Sequence, residues 1–173
     1  GGTIGHLMER LFPDRDLRIT GVEIDPLVTA ITERYFPPPP KPYPIIHADS
    51  RVFVRTDTAT YDLIVVDAYT NQLTIPPHLV TRDFFADLRK RLTPEGFVAL
   101  NVNAPTRDSR VLETMLQTLA RVFPDVVVAH SGTAWNWIIL AGAAPFPTPP
   151  FGNVHSLDRE LPFEFERFRT GFE

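Results

Sequence analysis

Short apolar runs alternate along this chain with stretches in which apolar residues recur at helical spacing, and Pro, Gly, Asp or Thr marks most of the switches. Leu7, Met8, Leu11 and Phe12 predict a helix from Gly5 to Phe12, stopped by Pro13-Asp14. A strand follows from Leu17 to Glu23. Asp25 is placed to cap, and Pro26 to open, a helix reaching Tyr35, with Val28, Ile31 and Tyr35 on its inner face. The run Pro37-Pro38-Pro39-Pro40-Lys41-Pro42-Tyr43-Pro44 fits neither a helix nor a central strand. It predicts an extended connector, with a ligand for an SH3-type partner as the alternative.

Ile45 to Ala48 predicts a short buried strand ending at Asp49-Ser50, and Arg51 to Arg55 a single helical turn. The apolar run within Tyr61-Asp62-Leu63-Ile64-Val65-Val66-Asp67 predicts a strand covered on both faces, as parallel sheets require. Ala68 to Leu79 is a long connection carrying Asn71, Gln72, Pro76, Pro77 and His78, and reads as an active-site rim or lid. Thr81 caps a predicted helix from Arg82 to Leu92 that buries Phe84, Phe85, Leu88 and Leu92. Pro94-Glu95-Gly96 then turns the chain into a strand from Phe97 to Val102. Leu112, Met115, Leu116, Leu119, Val122 and Phe123 repeat with helical period and predict a helix from Ser109 to Phe123. Val126–Ala129 and Trp135–Ala141 are expected as an antiparallel pair turning at Ser131-Gly132. Residues 1–144 thus form one domain. The tail, 145–173, is Pro-rich and then carries Phe163, Phe165, Phe168 and Phe172 among charges, and is expected to cover apolar surface on the domain or on a neighbour.

This order describes an α/β fold: a Rossmann-like, mostly parallel sheet with helices on both faces and a C-terminal antiparallel strand pair. At 173 residues the chain can bury one sizeable core. Its net charge of -4 argues against a nucleic-acid binder with a broad basic surface. With no Cys, disulfides, thiolate nucleophiles and Cys-based zinc sites are excluded, which fits a cytoplasmic protein. No apolar run is long enough to span a bilayer, so no membrane partner is expected.

Candidate chemistry concentrates where strands end in acids. Gly1-Gly2-Thr3-Ile4-Gly5 lies roughly 20 residues before Glu23, the spacing between glycine loop and ribose-binding acid in a nucleotide-binding βαβ unit. Glycines let a ligand approach the backbone, and a strand-end carboxylate accepts hydrogen bonds from ribose hydroxyls. Such a loop follows a strand and none precedes Gly1, so either a first strand is missing, which is the expectation, or Gly1-Gly2 is partly a fusion scar. Right-handed crossovers put Glu23, Asp49 and Asp67 at the carboxyl edge of the sheet. Each also has an ordinary reading: Glu23 as a solvated acid, Asp49 as a turn cap, Asp67 as an acceptor for loop amides. Asp25 is a helix cap. Tyr69 lines a substrate site or is a half-buried loop aromatic, and Trp135 and Trp137 share a face suited to core or interface packing. His47 and His78 lack partners at ligand spacing, so no metal is expected.

Taken together, the glycine loop, Val22-Glu23-Ile24-Asp25-Pro26, His47-Ala48-Asp49-Ser50, Asp62-Leu63-Ile64-Val65-Val66-Asp67-Ala68, Thr81-Arg82-Asp83-Phe84-Phe85 and Leu92-Thr93-Pro94-Glu95-Gly96 resemble a class I S-adenosylmethionine-binding domain. More narrowly, the chain resembles the spermidine synthase (polyamine aminopropyltransferase) family, from Gly1 to about Ala144. The resemblance implies that Gly1, Gly2, Gly5, Glu23, Asp49 and Ser50 bind S-adenosylmethionine or its decarboxylated form. Glu23 would hold the ribose, and Asp49, with Ser50 beside it, the adenine amino group. Asp67 would face the reacting centre as the catalytic carboxylate, accepting the amine's hydrogen bond or proton, with Tyr69 and Thr70 on the substrate side, and the acceptor would be a small amine. The family is expected to work as a homodimer.

The chain departs from the family where the amine binds. A second acid usually follows three residues after the position of Asp67, in an Asp-x-x-Asp-Pro pattern; here Thr70 and Gln72 take those places, and Ile4 replaces an Asp of the loop. The nucleotide half of the pattern is kept and the polyamine half is not. Alkyl transfer from a sulfonium nucleoside is therefore the reading. An S-adenosylmethionine-dependent methyltransferase and a non-catalytic domain of the same fold are the alternatives.

Overall fold

The computed structural model describes residues 3–36, 43–70, 74–130, 135–147 and 164–168. The chain divides into two compact units, Gly1–Asp57 and Thr58–Glu173.

In the first unit, α1 (Thr3–Leu11), β1 (Gly21–Glu23), α2 (Pro26–Tyr35), β2 (Ile45–His47) and α3 (Ser50–Thr56) follow one another. β1 and β2 pair in parallel, with Gly21 opposite Ile45 and Glu23 opposite His47. Backbone bonds from Gly21 N to the Pro44 carbonyl (2.9 Å) and from Ala48 N to the Glu23 carbonyl (3.1 Å) extend the ladder at both ends. α2 spans the expected residues, because Asp25 accepts from Leu27 N and Pro26 presets the first turn. α3 runs for 7 residues rather than one turn.

Three expectations fail in this unit. Residues 17–20 lie outside β1, which pairs over only three residues. β2 is exposed at all three positions instead of buried. The inner face of α2 is largely open, with Ile31 46% and Tyr35 67% exposed, since two such short strands offer little surface to cover it. Of the proline connector, residues 37–42 lie outside the described residues.

The second unit contains β3 (Tyr61–Val66), a 3₁₀ turn (Pro77–Leu79), α4 (Arg82–Lys90), β4 (Leu92–Asn103), α5 (Arg110–Ala120), β5 (Asp125–His130), β6 (Asn136–Gly142) and β7 (Glu164–Arg167). Its sheet has the order β3-β4-β6-β5-β7. β3 and β4 are parallel, and the remaining neighbours are antiparallel. The antiparallel end thus extends beyond the expected β5–β6 pair to β7, a strand whose sequence is too charged to read as one.

Leu92 and Phe97 lie in a single 12-residue strand, where a turn at Pro94-Glu95-Gly96 separated helix from strand in the sequence reading. A register shift opposite Tyr61–Leu63 absorbs the extra residues. Gly96 permits it: a Cβ there would stand 2.7 Å from the Tyr61 carbonyl oxygen. β3 is only half-covered, and Val65 is 38% exposed, so the expectation of burial on both faces is not met.

The core of this unit is the one the apolar pattern predicts. Phe84, Phe85 and Leu88 of α4, then Leu92, then Leu112, Met115, Leu116 and Leu119 of α5, are buried together with Val98, Leu100 and Val102 of β4 and with Ile139 and Ala141 of β6. α4 starts where Thr81 accepts from Phe84 N at 3.2 Å. Trp137 is buried and donates from Nε1 to the Ala104 carbonyl (3.0 Å), whereas Trp135 stands 70% exposed before β6 begins. The two tryptophans therefore do not share one environment. No helix among the described residues is long and apolar enough to cross a membrane.

Candidate functional site

The candidate residues of the first unit gather where parallel strands end. Glu23 closes β1, and Asp49 follows β2, the strand beside it. The half-buried Glu23 carboxylate accepts from Asp25 N through Oε1 at 3.0 Å, which turns it toward the start of α2 and leaves Oε2 with no partner among the described residues. A carboxylate held at one oxygen and open at the other is suited to vicinal hydroxyls such as those of a ribose.

Asp49 has the geometry of a cap: its Oδ1 accepts from Arg51 N (2.8 Å) and Val52 N (3.1 Å) at the head of α3, which begins at Ser50. The capping function is therefore present whatever else Asp49 binds. His47 Nε2 lies 3.1 Å from Thr29 Oγ1, a contact that joins β2 to α2.

The glycine-rich stretch is helical from Thr3 onward, so the expected loop does not extend to Gly5. Gly5 is buried in α1, and a Cβ at that position would stand 2.5 Å from the Tyr43 ring. Its lack of a side chain accommodates an aromatic neighbour. Gly1 and Gly2 lie outside the described residues.

In the second unit the chain leaves β3 at Asp67, which is exposed. Asp67 Oδ1 accepts from Asn101 Nδ2 at 2.9 Å, and Asn101 Oδ1 in turn accepts from Asn136 Nδ2 at 3.0 Å. The Tyr69 hydroxyl donates to the Asn101 carbonyl (2.7 Å) and accepts from Asn103 N (3.0 Å), fastening the segment after Asp67 across β4. Burial is the main cause that holds the Tyr69 phenol above its usual range; the Asn103 N–H works against it, and the Asp67 charge adds to it. Thr70 closes a small loop: its backbone N–H and hydroxyl both donate to the Thr74 carbonyl, at 2.7 and 3.1 Å. The Tyr69 hydroxyl is thus engaged by β4 and the Thr70 hydroxyl within the loop, and residues 71–73 inside that loop lie outside the described residues.

Asn101, Asn103 and Asn136 escaped the sequence reading. Their signal was present: Asn101-Val102-Asn103 places two amides, two residues apart, at the end of the strand expected from Phe97 to Val102, and Asn136 sits between two tryptophans. Strand-end amides read as ordinary turn chemistry until register shows which carboxylate they face.

The spermine/spermidine synthase domain, as a family description, matches residues 1–138. The chain belongs to that family. A probable polyamine aminopropyl transferase of Bifidobacterium longum is 32% identical over 123 residues, covering 70% of this chain. The chain spans only 27% of that relative's length. Among solved structures, a probable spermidine synthase from Corynebacterium glutamicum matches 95% of this chain and 62% of its own, with a TM-score of 0.76 at 21% identity, a likeness of fold. Human methyltransferase-like protein 13, solved in complex with SAH, matches 86% of this chain and 72% of its own, with a TM-score of 0.70 at 25% identity. The Rossmann-like α/β fold of the family is the fold of this chain.

Proposed function

We propose that this protein transfers an alkyl group from a sulfonium nucleoside to a small amine, with aminopropyl transfer from decarboxylated S-adenosylmethionine as the specific reaction. The observation that carries the reading is Asp67: in a chain of this family, it stands exposed at the end of β3 with Oδ1 held by Asn101 and Oδ2 without a hydrogen-bond partner among the described residues. The amine nitrogen attacks the carbon next to sulfur, the C–N bond forms as the C–S bond breaks, and the electron pair of that bond returns to sulfur. Methylthioadenosine leaves as a neutral thioether, and the new ammonium group loses a proton. The donor is already activated, so the protein has to align the amine and keep its lone pair free. Asp67 supports that by accepting the amine's N–H or its proton. Glu23 is the proposed ribose acceptor, and Asp49 with Ser50 contributes to the adenine side.

A second reading, methyl transfer from S-adenosylmethionine, is supported by the similarity to the human protein solved with SAH. The same nucleoside groups serve either reaction. Titration calorimetry with decarboxylated S-adenosylmethionine, S-adenosylmethionine and methylthioadenosine on wild type and Glu23→Ala, followed by product analysis with amines, tests the proposal. The decarboxylated donor is expected to bind and to release methylthioadenosine when an amine is present. Glu23→Ala should cost about 1.5–3 kcal/mol of nucleoside affinity, the worth of hydrogen bonds to a charged group. Absence of binding by all three nucleosides would overturn the reading. Release of S-adenosylhomocysteine instead would select methyl transfer.

A further inference from the structure

An ionised carboxylate only accepts hydrogen bonds, so the amide nitrogen of Asn101 and not its oxygen has to face Asp67. That choice turns Asn101 Oδ1 the other way, where it requires a donor, and Asn136 Nδ2 meets it at 3.0 Å. Strand register produces the arrangement. Val66 pairs with Leu100, which places Asp67 beside Asn101 one step beyond the ladder. Asn101 pairs with Ile138, so Asn136 lies diagonally opposite on the same face of the sheet. The side-chain bonds therefore run in one direction, from Asn136 to Asn101 to Asp67.

We propose that Asn101, oriented by Asn136, is a positioning residue that sets the plane of the Asp67 carboxylate and presents its Oδ2 to the acceptor amine. The inference rests on the reading of Asp67 as the amine-facing acid. Tyr69 supports it from the backbone side, because its hydroxyl ties the segment after Asp67 to both Asn101 and Asn103. A directional relay differs from general packing in one respect: it is sensitive to which atom faces which. Replacing Asn136 by a carboxylate puts acids on both sides of one carboxamide. The amide nitrogen can satisfy only one of them, and the amide oxygen is forced against the other.

The test uses Asn101→Ala, Asn136→Ala, the double variant and Asn136→Asp in the native-length protein. Asn101→Ala is expected to lower kcat/KM for the amine about ten-fold, the scale of one hydrogen bond to a charged group, with the nucleoside Kd unchanged. Asn136→Ala should lose less, the double variant no more than Asn101→Ala, and Asn136→Asp more than Asn136→Ala. Additive losses in the double variant, equal effects of Ala and Asp at position 136, or a parallel loss of nucleoside affinity in Asn101→Ala would each overturn the relay. A readout independent of turnover is water exchange of the Asn101 side-chain amide by NMR, expected to be faster in Asp67→Ala than in wild type. If wild type binds nucleosides but alkylates no amine, the functional reading fails by itself. The exchange measurement still decides the relay, and unchanged exchange overturns it.

Discussion

Tyr69 donates to one backbone group of β4 and accepts from another, so Tyr69→Phe leaves the Asn101 carbonyl and the Asn103 N–H without a protein partner in a half-buried place. The expected cost is about 1–2 kcal/mol in denaturant unfolding. The pH dependence has a definite sign. Burial raises the native phenol above its usual value of 10.0, so the native state keeps a proton that the unfolded state releases. The contribution of Tyr69 is complete below that usual value and is lost as pH rises through the native one. Wild type should therefore lose stability on the alkaline side of pH 10 more steeply than Tyr69→Phe in paired pH–stability curves. At the same scale, Glu23 and Asp49 were visible in the sequence as strand-end acids, while the side-chain network of Asp67 was not. A hydrogen bond spanning 34 residues of sequence, from Asn101 to Asp67, leaves no local trace.

At the level of elements, β7 is held to β5 by ionic contacts as well as by its ladder. Asp125, 7% exposed, lies 2.9 Å from Arg167 Nε, an ion pair in which the N–H is not aligned as a hydrogen bond, and it accepts from Phe146 N through its other oxygen at 2.9 Å. Asp125→Ala removes the acceptor from both and is expected to cost about 1–3 kcal/mol. Local loosening should show as faster hydrogen exchange of the Phe168 amide, which bonds to the Val126 carbonyl.

On the opposite side of β7, Arg107 reaches Glu166 through Nε (2.9 Å) and its terminal nitrogen (3.0 Å). The hydrogen bond from Arg107 holds the Glu166 carboxyl below its usual range. Its contribution is present above the usual carboxylate value and lost as pH falls through the lower native one. In hydrogen-exchange profiles, β7 of wild type should loosen over that acid window, and Arg107→Ala should remove this part of the pH dependence. This strand was the element the sequence hid, because its stability comes from pairing and charge and not from an apolar alternation.

For the whole molecule, a nucleoside that binds only the native state raises stability by mass action, about 2.7 kcal/mol at 100 times its Kd. Thermal unfolding of the native-length protein should therefore shift upward with decarboxylated S-adenosylmethionine or methylthioadenosine. At the same nucleoside concentration, Glu23→Ala should show a much smaller shift. The two units give this measurement further content, since Glu23 and Asp49 belong to the first and Asp67 to the second. A ligand that engages only the proposed nucleoside groups should slow hydrogen exchange at the start of α2 and α3.

The sequence by itself determined the α/β class, the family, the start of α2 at Asp25-Pro26, the cap of α4 at Thr81 and the buried faces of α4 and α5. These depend on local propensity and on periodic apolar residues, which neighbouring positions encode together. Tertiary structure alone decided that β4 continues from Leu92 past a register shift, that Gly5 makes room for Tyr43, that β7 joins the sheet, and that Asn136, Asn101 and Asp67 form one directed chain. Each of these depends on which residues meet across strands or between distant segments. Such meetings follow from packing and register over the whole sheet, so no stretch of sequence contains them.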